Sequence, residues 1–220
     1  DGLFDVTIYP LMQLWGFPTQ KYHVPAESEL QEALAKVDAS QVVIDGDQVT
    51  LGTNQEMDLG GIAKGYTSAR VMEIFREYGI TSGMVSLGGN VQTIGMKPDD
   101  TEYTVGITDP SDGSSIYGTV KVKDKAVITS GIYQRNFKKD GKLYHHIMDK
   151  RTGMPADNNL ASVTVIAENG AMADAYATAL SVMGEEKAIA FQKKHPQIQI
   201  ILIRKDGTFY QSEKAGMIKS

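Results

Sequence analysis

The chain has no cysteine among its 220 residues. That removes disulfides, thiolate nucleophiles and cysteine-type zinc sites together, but leaves the compartment open. No run of ~18 apolar residues occurs, so no segment reads as a membrane-spanning helix. No signal peptide is visible either. Blocks of positive charge are missing: the formal charge is −5, and the basic residues are scattered, with short pairs such as Lys138-Lys139 and Lys193-Lys194. Broad electrostatic attraction to nucleic acid or to an anionic membrane is thereby disfavoured. An anionic ligand needs a local device instead: a helix start, a glycine turn or a metal. Internal repeats, low-complexity segments and long linkers are absent, and so is the P-loop, because Lys64 is followed by Gly65 rather than Ser or Thr. The opening Asp1-Gly2-Leu3-Phe4-Asp5 has no initiator Met and is expected to be the trimmed body of a longer protein.

What remains is ordinary for a soluble globular chain: 41% apolar and 22% charged residues. The length suits one large domain or two small, closely joined ones. An apolar stretch from Phe4 to Phe17 ends in Gly16-Phe17-Pro18. A helix is predicted over Ser28 to Val37, with Ser28 and Gln31 as a capping box and Leu30, Ala33, Leu34 and Val37 on one face. Val42–Asp45 and Gln48–Leu51 form a hairpin across Gly46-Asp47. Met57-Asp58-Leu59 reads as a strand running into Gly60-Gly61, and a helix spans Ile62 to Tyr78, stopped by Gly79. From Met84 to Ser130 the text is mostly strand, and another strand covers Leu143 to Met148. Ala161 to Ala167 is a strand, followed by helices at Ala171–Met183 and Glu185–Lys194 and a last hairpin from Ile198 to Gln211. Adjacent strands with inserted helices indicate α+β: mixed, largely antiparallel sheets with packed helices.

Five segments could carry chemistry. In Met57 to Tyr66 a glycine pair opens a helix, where backbone N–H groups suit a phosphate; the same pattern serves as a plain strand–turn–helix joint. Ser86-Leu87-Gly88-Gly89-Asn90 is a turn that tolerates positive φ. Thr129-Ser130-Gly131 offers two hydroxyls, for phosphate or for local capping. Tyr144 to Pro155 holds two of the four histidines. In an extended segment His145 and His146 point to opposite faces, so one packs or is solvated while the other serves proton transfer. Arg151, in the turn that follows, presents a bidentate fork; an exposed charged loop is the plain alternative. Asp174 and Thr178, four apart on one helix face, are hard oxygen donors of the kind Mg²⁺ prefers. They equally suit an unremarked acidic residue near a helix start and an ordinary Thr.

In order and combination these segments resemble the ApbE family, the FAD:protein FMN transferases once labelled thiamine-biosynthesis lipoproteins. The resemblance runs from Phe4-Asp5-Val6-Thr7 and Leu14-Trp15-Gly16-Phe17, through Asp58 to Gly65 and Ser86 to Asn90. It continues through Thr129-Ser130-Gly131, His146-Ile147-Met148-Asp149 and Arg151-Thr152-Gly153, to Ala173-Asp174-Ala175 and Ala177-Thr178-Ala179. The family's usual Pro after the Asp of the histidine motif is Lys150 here. The resemblance implies a single transferase region over 1–220, without the N-terminal segment that contributes to the family's adenosine pocket.

It further implies FAD as substrate, cleaved at its pyrophosphate with release of AMP, and FMN joined through a phosphoester to a Thr or Ser of an acceptor protein. By the same resemblance, Mg²⁺ is held by Asp174, Thr178 and the Ala63 carbonyl, and His146 is catalytic. Asp58, Lys64, Gly88, Gly89, Asn90, Ser130, Gly131, Asp149, Arg151 and Thr152 lie near the flavin nucleotide. The implied location is extracytoplasmic, with the full-length form lipid-anchored and this chain itself soluble. A Mg²⁺-dependent FAD pyrophosphatase and a non-catalytic flavin-binding module are the alternatives.

Overall fold

The computed structural model describes residues 2–220; Asp1, the first residue of the opening segment, lies outside the described residues. Helix α1 spans Tyr9–Leu14 and α2 Glu27–Leu34. Strands β1 (Val43–Asp45) and β2 (Gln48–Thr50) pair across Gly46-Asp47 as a hairpin. Then come α3 (Ala63–Glu77), β3 (Gly83–Leu87), β4 (Asn90–Ile94), β5 (Tyr103–Thr108), β6 (Ile116–Val122) and β7 (Ala126–Gly131). Short strands β8 (Asn136–Lys139), β9 (Lys142–His145), β10 (Met148–Asp149) and β11 (Met154–Pro155) follow. The chain closes with β12 (Leu160–Ala167), α4 (Gly170–Met183), α5 (Glu185–Lys194), β13 (Gln199–Arg204), β14 (Phe209–Gln211) and β15 (Ile218–Lys219). The fold is α+β with antiparallel sheets, as the element pattern requires. Among the described residues no helix is long and apolar enough to cross a membrane.

Two compact units are distinguished: residues 2–59 with 135–157, and residues 60–134 with 158–220. The second is layered. Its six-stranded sheet runs β14-β13-β12-β7-β4-β3, with every neighbouring pair antiparallel. Strand β12 is buried along its whole length, which explains its nearly continuous Val, Ile and Ala content. Val163 and Val165 face the helices, packing with Ala173, Ala177 and Leu180 of α4. On the other face, Ile166 and, from β13, Ile201 and Ile203 pack with Val105, Ile107 and Val120 of the three-stranded sheet β15-β6-β5. Each such side chain fully removed from water contributes roughly 1.5–3 kcal/mol before entropy is counted. Helix α4 starts where Asn169 accepts from the Met172 N–H at 3.0 Å and ends at Gly184, φ +81°.

The first unit has its own core of Leu11, Met12, Trp15, Phe17, Leu30, Ala33 and Met148. Aromatic rings extend it: Tyr22 stacks on Phe137 at 4.9 Å, and Phe137 on Tyr144 at 5.3 Å. The buried Trp15 indole donates to the Gly153 carbonyl at 2.9 Å, tying α1 to the 149–153 turn.

Three local expectations are corrected. Helix α2 begins earlier than Ser28, and its start is satisfied by Glu29 Oε2, which accepts from the Ala26 N–H at 2.7 Å, rather than by Ser28 with Gln31. With the cap at Ala26, two residues before Ser28, the residue three beyond it is Glu29. Met57 to Leu59 is irregular and pairs with no strand among the described residues; its Asp58 N–H donates to the Val6 carbonyl at 2.8 Å. The strand expected over Leu143 to Met148 is interrupted after His145.

The placement of the site depends on how closely α3 meets α4. A Cβ added at Gly65 would stand 2.2 Å from the Gly170 carbonyl oxygen and 2.7 Å from Asp174 Cβ. One added at Gly170 would stand 2.4 Å from Gln92 Oε1 and 2.6 Å from the Gly65 carbonyl oxygen. In an open helix Gly→Ala stabilises by about 1 kcal/mol. Here the sign is expected to reverse: Gly65→Ala should cost roughly 1–3 kcal/mol through overpacking, read as a lower urea midpoint. An unchanged or raised midpoint would contradict the close crossing.

Candidate functional site

The second unit carries the densest cluster of expected site residues, organised by the α3–α4 crossing. The Gly65 N–H, at the start of α3, donates to Asp174 Oδ2 at 2.9 Å. The crossing is locked from beneath by two residues that the motifs did not mark. The Ser68 hydroxyl lies 2.9 Å from both the Gly65 carbonyl and Gln92 Oε1, and its one proton serves these acceptors in turn. Gln92 Nε2 donates onward to the Glu168 carbonyl at 3.3 Å, just before α4. Ser68 and Gln92 are buried, so losing either would strand polar groups away from water. Neither has a local sequence signature, since each acts on a segment far away in the chain.

Asp174 is 4% exposed. Burial pushes its pKa above the ordinary carboxylate value; the Gly65 N–H, the Lys64 charge and the nearby Asn90 amide pull the other way without overcoming it. Asn90 is 1% exposed, and its Nδ2 has no hydrogen-bond partner among the described residues. It therefore acts on Asp174 as a neighbouring dipole, not through a formed bond. Thr178 is one turn further along α4, with its hydroxyl 3.3 Å from that of Ser130 on β7. Ala63 is exposed at the first turn of α3, two residues before the N–H that binds Asp174, and its carbonyl accepts from the Thr67 hydroxyl at 2.8 Å. The fold thus gathers Ala63, Lys64, Asn90, Ser130, Asp174 and Thr178 around one crossing.

Gly88 and Gly89 form the two-residue turn between β3 and β4, with φ of +56° and +91°. Positive φ at both positions is the type I′ signature, which glycine meets at least cost. The Lys64 stem reaches this turn, lying 4.0 Å from where a Gly88 Cβ would stand. The bare turn opens on a cavity of about 570 Å³, also lined by Gly106, Thr129 and Tyr133. A Cβ on the buried Gly131 would fall 2.2 Å from the Tyr133 ring, so this glycine seats the tyrosine. Asp112 lines the same cavity. The Ser115 hydroxyl and the N–H groups of Ser114 and Ser115 hold its carboxyl down to about 2. Asp112 thus places an exposed negative charge at this end of the cavity. Sequence motifs did not point to Asp112.

Asp58, His146, Asp149, Arg151 and Thr152 belong to the first unit. The interruption of the chain after β9 separates the two histidines. His145 is buried; its Nε2 lies 3.1 Å from the Ala156 carbonyl, and its Nδ1 accepts from the Ile147 N–H at 3.3 Å. Both nitrogens thus hold the break together. His146 is only half-buried, its ring edge-on to Phe17 at 6.4 Å. The Arg135 carbonyl accepts from its backbone N–H at 3.1 Å and lies 3.2 Å from its Nδ1. A carbonyl only accepts, so this pairing places the proton on Nδ1 and makes Nε2 the basic nitrogen.

Arg151 does not hold its fork open. Nε donates to Asp149 Oδ1 at 2.8 Å and Nη2 to Oδ2 at 2.6 Å. Burial acts to raise the Asp149 pKa, but the Arg151 side-chain and backbone bonds outweigh it and keep the carboxyl below its usual value. The Thr152 and Gly153 N–H groups both donate to the Asp149 carbonyl, at 3.1 and 2.9 Å. Lys150 donates to the buried Asp5 at 2.6 Å, an ion pair that holds this turn against the opening segment.

The model of the ApbE family matches residues 1–202. The FAD:protein FMN transferase of Klebsiella pneumoniae (strain 342) is 35% identical over 94% of this chain and 65% of its own length. The crystal structure of the ApbE protein from Thermotoga maritima superposes with a TM-score of 0.89 at 35% identity, over 97% of this chain and 71% of that one. The flavin transferase ApbE from Vibrio cholerae gives 0.84 at 34% identity, over 96% and 69%. The chain belongs to the ApbE family. It spans 61 to 65% of the length of the curated relatives from Klebsiella, Treponema pallidum and Vibrio cholerae.

The raised pKa of Asp174 carries a stability consequence. A carboxyl that holds its proton more tightly when folded loses stability as pH rises from the unfolded value, about 4, through the folded value. Asp174→Asn keeps an acceptor for the Gly65 N–H and removes that cost. Its thermal midpoint is expected to exceed that of the parent chain at pH 7, with the gap closing below about pH 4. A midpoint at pH 7 equal to or below the parent's would mean the carboxylate is not under-solvated.

Proposed function

We propose that this chain carries the transfer of FMN from FAD to a Thr or Ser hydroxyl of an acceptor protein, with release of AMP and with Mg²⁺ as the resident ion. The observation that supports this most directly is the buried Asp174 carboxylate, seated by the Gly65–Gly170 contact and given only one formed hydrogen bond among the described residues. The residues present fit such an ion. Asp174, the Thr178 hydroxyl and the Ala63 carbonyl form an all-oxygen donor set, hard enough for Mg²⁺ and small enough to leave room for water and phosphate oxygens. When bound, Mg²⁺ supplies charge neutralisation at the pyrophosphate.

The chain's own groups divide the remaining work. Lys64 adds a positive charge beside Asp174. The buried Asn90 Nδ2, lacking a partner among the described residues, is a donor suited to a ligand oxygen. Ser130 offers a hydroxyl beside Thr178, and Gly88 and Gly89 let the flavin nucleotide approach the backbone. In the reaction, the acceptor oxygen forms a bond to the FMN phosphorus while the P–O bond to AMP breaks. The proton of the acceptor hydroxyl passes to His146 Nε2, while Nδ1–H on the Arg135 carbonyl holds the ring in place. Such general-base assistance is typically worth about 10²–10⁴-fold. In the first unit, Asp58, Thr152 and the mutually paired Asp149 and Arg151 are read as contributors to nucleotide binding, as is Gly131 in the second. The two units are read as parts of one transferase region over residues 1–220. The setting inferred from the family is extracytoplasmic, with a lipid anchor on the full-length form.

Incubation with FAD, Mg²⁺ and a threonine-bearing acceptor protein is expected to add the mass of one FMN to the acceptor. Asp174→Ala should stay folded and abolish the Mg²⁺-dependent gain. His146→Ala should keep FAD binding and lower transfer about 10²–10⁴-fold. His145→Ala should chiefly lower the thermal midpoint. If His145→Ala, compared at equal folded fraction, proves the more damaging to turnover, the base is wrongly assigned. Formation of FMN and AMP with an unlabelled acceptor would mark a pyrophosphatase instead.

A further inference from the structure

A second cavity in the same unit, about 560 Å³, is not used by the chemistry above. It lies where β12 runs into α4 and where β13 begins. Its lining includes Lys121, Lys123, Lys125 and Lys214 against Glu102 and Glu168. Lys125 Nζ is paired with Glu168 at 2.9 Å, so three lysines remain against one carboxylate. In a chain of formal charge −5, this is a local reversal of sign that favours an anion. The cavity floor is apolar: Val122, Ile166, Ile198 and Ala215 are each at most 6% exposed. Met172, on its wall, is left 47% exposed in the first turn of α4. Met172 and Asp174 are two residues apart, about 200° around a helix axis. The cavity therefore belongs to the opposite side of α4 from the proposed metal ligand.

The two surfaces demand different things. A bare phosphate would meet the lysines but leave the Met172 wall in water. A neutral hydrocarbon would cover the wall but leave the lysines without a counter-charge. A molecule with an apolar body and an anionic head satisfies both. We propose that this cavity is a binding site for a small amphipathic anion, an apolar chain or ring ending in phosphate or carboxylate. The head would lie among Lys121, Lys123 and Lys214, and the body against Met172 and the floor.

Octyl phosphate, kept below its micelle concentration, is the probe, and methionine-methyl NMR the readout. Met172 is one of ten methionines, and its signal is assigned by Met172→Leu. A saturable shift of the Met172 methyl is expected, with octanol and inorganic phosphate each binding about tenfold or more weakly. The double variant Lys121→Glu and Lys214→Glu should keep the parent's thermal midpoint and weaken octyl phosphate about tenfold or more, the scale of lost charge-assisted contacts. Excess FAD should leave the complex in place, which separates this site from the flavin reading. No Met172 shift, equal affinity for octanol or for inorganic phosphate, displacement by FAD, or full binding by the double variant would each overturn the proposal.

Discussion

The close approach of α3 and α4 at Gly65 and Gly170 is the constraint from which the site follows. Two backbones meet there with no side chain between them. That contact lets a main-chain N–H from one helix reach a carboxylate on the other. With any larger residue at either position the helices would have to separate by more than a hydrogen bond tolerates. Asp174 would then stay buried without its one formed hydrogen bond among the described residues, at a larger desolvation cost. The alanines of α4 extend the same logic: Ala173 and Ala177 are fully buried and small enough for the helix to lie close on β12.

Such a helix needs a rigid floor, and β12 supplies it. A strand covered on both faces cannot shift register without exposing one apolar set and burying the gap left by the other. Its neighbour β7 is held in continuous register from Ala126 to Gly131 against Ala167 to Ser162. That register brings Ser130 to the level of Thr178. A hydroxyl on a strand and a hydroxyl on a helix are thus aligned by the sheet, not by any feature of their own sequence neighbourhoods.

What could be read from the amino acids follows the range of the forces involved. Periodicity and turn chemistry act over a few residues, so α5, β5 and the β1–β2 hairpin were legible nearly to the residue. Local competition was harder. Glu29 rather than Gln31 closes the start of α2, because the cap lies two residues earlier, at Ala26, and that decides which side chain is in reach. Long-range effects left no local trace. Gln92 looks like any strand glutamine, yet it ties Ser68 to the chain entering α4. Arg151 looks like an open phosphate fork, yet Asp149 two residues away occupies it. The family resemblance named the site residues by position. The geometry adds how they are held, and it separates the adjacent histidines: His145 is committed at both nitrogens to a break in the strand, while His146 is half-buried with Nδ1 on the Arg135 carbonyl.

Three buried aspartates show how a fold distinguishes support from chemistry. Asp5 accepts from the Thr7 N–H and hydroxyl, the Ala39 N–H and Lys150. Burial works to raise its pKa, and those donors more than reverse the effect. Asp149 is treated likewise by Arg151. Both carry their charge with its counterpart supplied by the chain, and both brace loops. Asp174 alone among the three is held above its ordinary value, with one formed bond and an Asn90 amide close by but unbonded. A fold optimised for stability alone would gain by adding donors there or by replacing the acid with an apolar residue. A carboxylate kept buried and short of partners is what the proposed Mg²⁺ would require, and the deficit that weakens the folded state in isolation is the one such an ion would relieve.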